Sequence, residues 1–216
     1  MSAAPRITRA QLGLYLVTDE AACNGRDLLD VVAEAVAGGV RCVQLREKHL
    51  GTTAFLARAR AMKALLAPLG IPFIINDSID IAMAVQADGV HVGQHDAHVT
   101  DIRHIWPDAI IGLSVENPAQ LQAATALDVD YLGISPLFAT ATKPDAAPPW
   151  GLDGLRHIRA QTTLPLVAIG GIDTDNAADV LAAGADGLAV VSAICSAPSP
   201  RAAAAALAAS LSGITA

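Results

Sequence analysis

Aromatic residues are scarce in this 216-residue chain, at 3%, and charged residues are few, at 16%. With 53% hydrophobic residues, Ala, Val, Ile and Leu must do the packing, and much of the chain must be buried. That palette suits helices laid on buried parallel strands. A pool of Lys and Arg is missing. The formal net charge is -7, which excludes the basic footprint of a nucleic-acid binder and confines any anion site to a local cluster. Cysteine is limited to Cys23, Cys42 and Cys195, far apart and odd in number. They show neither metal-binding spacing nor a disulfide framework, and a reducing cytoplasm fits them best. No apolar run is long enough to span a bilayer, and Met1 to Gln11 lacks the apolar core of a signal peptide. The expectation is a cytoplasmic protein with no membrane or nucleic-acid partner. The composition allows a homo-oligomer.

What is present is a regular alternation of short apolar runs and helical patterns. Strands are expected at Leu14 to Val17, around Val43 to Leu45, and at Pro72 to Ile75, Gly89 to Val92, Ala109 to Leu113, Tyr131 to Ile134, Leu166 to Ile169 and Gly187 to Val191. Between them lie helical stretches: Leu28 to Ala37, Thr52 to Leu66, Ser78 to Val85, Val99 to Ile105, from Asn117-Pro118 to about Leu127, Leu152 to Ala160 and Asn176 to Ala183. An Ala-rich helix, Arg201 to Leu211, closes the chain. Each helix must cross back before the next parallel strand. Eight strand-then-helix units in this length argue for an α/β protein, a compact (β/α)8 TIM barrel. The competing open doubly wound sheet lacks its G-x-G-x-x-G turn after the first strand. No linker or composition shift divides the chain, so residues 1–216 form a single domain, with 1–11 as a flexible or capping segment.

One stretch draws attention within this frame: Val43-Gln44-Leu45-Arg46-Glu47-Lys48. On a strand, Gln44, Arg46 and Lys48 share one face, while Val43 and Leu45 take the other. An inward face carrying two cations is costly unless an anion neutralises them. The bland alternative is an exposed edge strand with solvated charges. Further polar residues fall at the C-terminal strand ends, where barrels of this class keep their active sites: Asn76, Asp77, Asp96, Ser114, Thr140, Thr142, Lys143, Gly171 and Ser192. Each Asp or Asn alone reads by default as a helix N-cap; their joint placement around one rim is the signal. Asp77 and Asp96 close adjacent strands, and two such carboxylates repel unless a cation joins them. Oxygen ligands without sulfur favour Mg2+, which bridges readily to a phosphate. His91, His95 and His98 lack the spacing of a zinc site; His91 reads as a barrel-wall residue, the other two as loop and surface residues. Ile169-Gly170-Gly171-Ile172 and Val190-Val191-Ser192 suggest a second anion site in the loops after strands seven and eight, or else a tight turn only.

In this ordered series the chain resembles the thiamine-phosphate synthase (thiamine-phosphate pyrophosphorylase) family. The resemblance rests on Gln44-Leu45-Arg46-Glu47-Lys48, Ile75-Asn76-Asp77, His91-Val92-Gly93-Gln94-His95-Asp96, Gly112-Leu113-Ser114, Thr140-Ala141-Thr142-Lys143-Pro144-Asp145, Ala168-Ile169-Gly170-Gly171-Ile172 and Val190-Val191-Ser192. It implies a Mg2+-dependent transferase that joins a hydroxymethylpyrimidine diphosphate to a thiazole phosphate and releases diphosphate. It further implies that Gln44, Arg46, Lys48, Asn76, Ser114 and Lys143 contact the pyrimidine diphosphate, with Arg46, Lys48 and Lys143 catalytic. Asp77 and Asp96 are then the Mg2+ ligands, and Thr140, Thr142, Gly171, Val191 and Ser192 contact the thiazole phosphate. One position departs: relatives commonly carry His where this chain has Glu116. That histidine is tied to proton transfer in the related thiazole tautomerase, so Glu116 argues against a tautomerase-type barrel. A non-catalytic sensor of phosphorylated thiazole would have little use for Asp77 and Asp96.

Overall fold

The computed structural model of the protein describes residues 5–139 and 147–211. Its strands are β1 (Leu14–Val17), β2 (Cys42–Leu45), β3 (Phe73–Asn76), β4 (Gly89–Val92), β5 (Ile110–Val115), β6 (Tyr131–Ile134), β7 (Leu166–Ile169) and β8 (Gly187–Val190). The helices are α1 (Arg9–Leu12), α2 (Leu28–Ala37), α3 (Thr52–Leu66), α4 (Ile79–Ala84), α5 (Val99–Ile105), α6 (Pro118–Ala124), α7 (Gly151–Gln161), α8 (Ala177–Ala182), α9 (Ser192–Cys195) and α10 (Pro200–Leu211). The strands pair in parallel in chain order, and β8 pairs with β1 through Leu14↔Leu188 and Leu16↔Val190. That last pairing makes a closed (β/α)8 barrel and excludes the open sheet.

Period-two alternation divides the apolar residues into two cores. Inside the barrel, Tyr15, Val17, Cys42, Ile74, Ile110, Tyr131, Val167 and Ala189 meet. Outside it, Leu16, Val43, Leu45, Ile75, Val90 and Leu132 pack under the helices. Full burial of a Leu or Ile side chain contributes about 1.5–3 kcal/mol. The floor is closed by Ile7 and Leu12, which join the inner cluster from the N-terminal side. A capping box holds α1: Gln11 N–H donates to Thr8 Oγ1 at 3.2 Å, and Thr8 N–H donates to Gln11 Oε1 at 2.9 Å. The segment lies so close to β8 that a Cβ on Gly187 would sit 2.3 Å from the Leu12 carbonyl oxygen.

A recurring device anchors the N-terminal ends of the strands. Asp88, Asp130 and Asp186 each precede an even-numbered strand and accept the backbone N–H at the start of the strand before, from Phe73, Ile111 and Leu166, all at 2.8 Å. Lys63, Arg103 and Arg159 neutralise them from the surrounding helices. These are charge-assisted hydrogen bonds at the end of the barrel away from the strand C-termini, where such residues serve stability.

Several element ends differ from the sequence reading by a residue, α1 was not anticipated, and three differences are larger or bear on the site. β5 runs two residues further, through Ser114 to Val115, because both pair with β6. β8 stops at Val190, and Val191, at φ -116 and ψ -84, turns the chain into the unanticipated short helix α9. α6 ends at Ala124 rather than near Leu127.

Candidate active site

The C-terminal ends of the strands open onto one cavity of about 280 Å³. Gln44, Arg46, Lys48, Asn76, Asp77, Asp96, Ser114, Gly171, Val191 and Ser192 all line it. Every sequence-predicted site residue among the described ones is therefore brought to one mouth. Thr140, Thr142 and Lys143 lie outside the described residues. β2 ends at Leu45, so Gln44 is held by the strand, whereas Arg46 and Lys48 leave it and keep its inward direction. Glu47 takes the opposite side and pairs with Arg58 of α3 at 2.6 Å. Arg46 is fixed through its backbone N–H, which donates to the buried Thr18 Oγ1 at 3.1 Å. Among the described residues its guanidinium has no acidic partner.

The acidic side of the mouth is built by β3 and β4. Asp77 follows β3 in the left-handed region, at φ 60, a conformation Asp and Asn tolerate better than most residues. Its N–H donates to the His91 carbonyl at 2.9 Å, and its Oδ2 accepts from Lys48 Nζ at 2.5 Å. Asp96 Oδ2 accepts the Gly93 N–H at 2.7 Å. Burial pushes the Asp77 carboxyl above its ordinary value; the Lys48 ammonium opposes that, and the adjacent Asp96 carboxyl adds to it. Asp77 and Asp96, close enough for their carboxyls to interact, form an oxygen donor set suited to a hard divalent cation. His95 and His98 are exposed on the loop, as the sequence suggests.

Sequence reasoning missed the polar floor. Tyr15, His91 and Tyr131 line the cavity. The hydroxyls of Tyr15 and Tyr131 are 2.8 Å apart, and His91 bridges Tyr131 Oη at 3.1 Å to Ser114 Oγ at 2.9 Å. Burial pushes both phenols well above the usual tyrosine range and the Cys42 thiol beside them upward too. Burial also holds the His91 imidazole down at about 4, with Asp96 pulling the other way, so the ring is neutral. The available signal is a pair of strand glycines, which mark close approach by neighbours. Gly112 pairs with His91 on one side and Tyr131 on the other. A Cβ there would sit 2.2 Å from Tyr131 Cζ and 2.4 Å from His91 Nδ1.

Across the mouth, Gly170 and Gly171 adopt φ 106 and φ 65. A Cβ on Gly171 would lie 2.8 Å from the Ala139 carbonyl oxygen, so the turn needs glycine both for its conformation and for its approach to the loop after β6. Gly171 also lines the cavity, which makes the tight turn and the cavity wall one feature. Beside it, Val191 and Ser192 bring the start of α9 to the cavity, and the first amides of a helix have no partner within it.

Against known proteins, the family model described as thiamine monophosphate synthase matches residues 14–194. The chain belongs to the thiamine monophosphate synthase family. It is 60% identical over 190 residues to the thiamine-phosphate synthase of Albidiferax ferrireducens, covering 88% of this chain and 87% of that one. The thiamine-phosphate synthase of Chloroflexus aurantiacus is 49% identical over 191 residues, covering 88% of each. Among solved structures, thiamine phosphate pyrophosphorylase from Pyrococcus furiosus superposes with a TM-score of 0.89 at 35% identity, covering 96% of this chain and 99% of that one.

In this barrel, Glu116 follows β5 at the rim but is not among the residues lining the cavity. Its backbone N–H donates to Gln120 Oε1 at 2.7 Å, which ties the turn to α6. Asn117, one residue on, caps α6 by accepting the Gln120 N–H at 3.1 Å, so here the default reading of an Asn before a helix holds.

Proposed function

We propose that this chain is a thiamine-phosphate synthase: it joins a 4-amino-2-methyl-5-hydroxymethylpyrimidine diphosphate to a 4-methyl-5-(2-phosphoethyl)thiazole and releases diphosphate. The observation that carries this reading is the pairing of two anion-suited walls in one cavity. On one side are Arg46 and Lys48, beside Asp77 and Asp96, which would suit an anion through a divalent cation held between them; on the other are the Gly171 turn and the start of α9. One wall suits a diphosphate and the other a monophosphate. The names of the relatives agree with that assignment.

In the reaction, the bond from the pyrimidine's methylene carbon to the diphosphate oxygen breaks, and the oxygen keeps the electron pair. The thiazole nitrogen lone pair then forms the new C–N bond, so no general base is required. Arg46, Lys48 and Lys143 stabilise the charge that builds on the leaving oxygen. Asp77 and Asp96 would hold Mg2+, and their paired oxygen donors fit that ion. When bound, Mg2+ supplies charge neutralisation to the departing diphosphate. Gln44 and Ser114 orient the pyrimidine, while Gly171, Val191 and Ser192, with Thr140 and Thr142, orient the thiazole phosphate. The three cysteines are buried and free, which suits the cytoplasm. No helix among the described residues is long and apolar enough to cross a membrane.

The test is to mix both substrates with Mg2+ and follow diphosphate and thiamine phosphate together. Equal release of the two supports the reading. Diphosphate release without thiamine phosphate, or no release at all, overturns it. A single variant probes the loop. Lys143→Met keeps the stem and removes the ammonium, and is expected to lower kcat roughly 10- to 1000-fold. Its melting temperature should stay near that of the wild type. Unchanged kcat with saturating Mg2+ and both substrates would remove Lys143 from the site.

A further inference from the structure

Five side chains inside the barrel form one unbroken chain of hydrogen bonds. Gln44 Nε2 donates to Tyr15 Oη at 2.9 Å, and Tyr15 Oη lies 2.8 Å from Tyr131 Oη. Tyr131 Oη lies 3.1 Å from His91 Nδ1, and His91 Nε2 lies 2.9 Å from Ser114 Oγ. Both ends of the chain, Gln44 and Ser114, face the cavity.

The Gln44 amide, with its NH2 group on Tyr15 Oη, sets the direction of the chain, and counting protons carries that direction through to Ser114. A phenol has one proton and a neutral imidazole one. Tyr15 Oη accepts from Gln44 Nε2, and among the described residues the one remaining acceptor for its own proton is Tyr131 Oη. Tyr131 has then accepted a bond and directs its own proton to His91 Nδ1. Nδ1 is therefore an acceptor, and the imidazole proton sits on Nε2, donated to Ser114 Oγ. A doubly protonated ring does not fit, because its Nδ1–H would face Tyr131 Oη and leave a buried phenol proton without an acceptor. With its oxygen accepting from His91, the Ser114 hydroxyl keeps its own proton for the cavity. At the other end, among the described residues nothing donates to Gln44 Oε1.

We propose that Tyr15, Tyr131 and His91 are positioning residues for substrate recognition: their one-way relay fixes His91 as the Nε2–H tautomer. It thereby presents the cavity with a donor at Ser114 Oγ and an acceptor at Gln44 Oε1. The inference rests on the proposed function for the identity of the ring. An aminopyrimidine carries an amino donor and ring-nitrogen acceptors, which complement that pair. The 4-oxo analogue carries a carbonyl acceptor and a ring N–H donor in their place, so one polar group on each side is left unmatched. A site built to hydrogen-bond its ligand rejects such a mismatch strongly. The polarity is a property of the whole relay: breaking one link frees Ser114 to turn its proton back towards His91.

The experiment has two arms. In the first, a long-range 1H–15N spectrum of the unliganded wild-type chain reads the His91 tautomer, with the signal assigned by its loss in His91→Gln. The Nε2–H form is expected, and Tyr131→Phe should lose the single-tautomer signature. The Nδ1–H form in the wild type means that the relay runs the other way and overturns the proposal, whatever the turnover. In the second arm, kcat/KM is compared for the aminopyrimidine diphosphate and its 4-oxo analogue. The wild type should favour the amino substrate by roughly 100-fold or more, and Tyr131→Phe should bring the ratio below about 10-fold. The variant's KM for the amino substrate should rise by a larger factor than its kcat falls. A Tyr131→Phe chain that melts lower but keeps the wild-type tautomer and ratio would show packing alone and overturn the proposal. If the wild type turns over neither ring, the proposed function falls, while the tautomer still decides the relay. If Tyr131→Phe fails to fold, Tyr15→Phe breaks the same chain one link earlier and takes its place.

Discussion

Asp77→Asn is expected to lower kcat roughly 100- to 1000-fold, because a bound divalent cation supplies several kcal/mol of transition-state charge stabilisation and each factor of ten is about 1.4 kcal/mol. Folding should not suffer. Asp77 sits at φ 60, and asparagine is among the few residues that tolerate that conformation, whereas Asp77→Ala would add backbone strain to the loss of the ligand. The Lys48–Asp77 pair that the variant breaks has side chains 45% and 28% exposed, so its contribution to stability is small. Removing one of two adjacent carboxylates also relieves repulsion from Asp96. The melting temperature should therefore equal or exceed that of the wild type. Chelation should abolish wild-type turnover, and added Mg2+ should restore it. Full activity in chelator, or wild-type kcat in Asp77→Asn, would sink the metal assignment.

Gly112→Ala should have a large effect on stability. Its Cβ would meet Tyr131 Cζ at 2.2 Å, His91 Nδ1 at 2.4 Å and Tyr131 Oη at 2.4 Å. Both rings are held from the opposite side, Tyr131 by Tyr15 and His91 by Ser114, so neither can retreat without breaking a buried hydrogen bond. Overpacking together with one unsatisfied polar group should cost about 3 kcal/mol, which lowers Tm by roughly 6–12 °C in a domain of this size. Gly133→Ala makes the control. Its Cβ would lie 2.8 Å from His91 Cε1 and 3.3 Å from His91 Nε2, so one ring moves rather than two. Thermal melts of the two variants should rank Gly112→Ala well below Gly133→Ala; the opposite order would show that Tyr131 yields freely.

Much of this protein was legible before folding because its signals are local. Leu14–Val17, Leu28–Ala37, Thr52–Leu66, Gly89–Val92, Val99–Ile105, Tyr131–Ile134 and Leu166–Ile169 have the ends that apolar periodicity and Gly, Pro and polar punctuation place on them. Period-two alternation put Gln44, Arg46 and Lys48 on one face and Val43 and Leu45 on the other; the first three line the cavity, and the other two pack under the helices outside the barrel. Polar residues at strand C-termini converge whenever parallel strands lie side by side, so Asp77 and Asp96 could be paired without coordinates.

Tertiary structure decided what depends on pairing across distance. Nothing near Leu14 or Leu188 announces that they are neighbours; the barrel closes there because the accumulated twist of seven strands brings β8 back to β1. The floor is similar, since Ile7 and Leu12 lie in a stretch too short to show a period. The relay is the clearest case. Tyr15 and Tyr131 are 116 residues apart and read individually as ordinary strand residues, and His91 reads as barrel wall. Only the register that sets Gly112 between His91 and Tyr131 puts them in one layer. The sequence by itself determined which residues face inward, because side-chain direction follows from each strand's own pleat. Which inward residues touch was decided by strand stagger around the closed barrel, a property of all eight strands together.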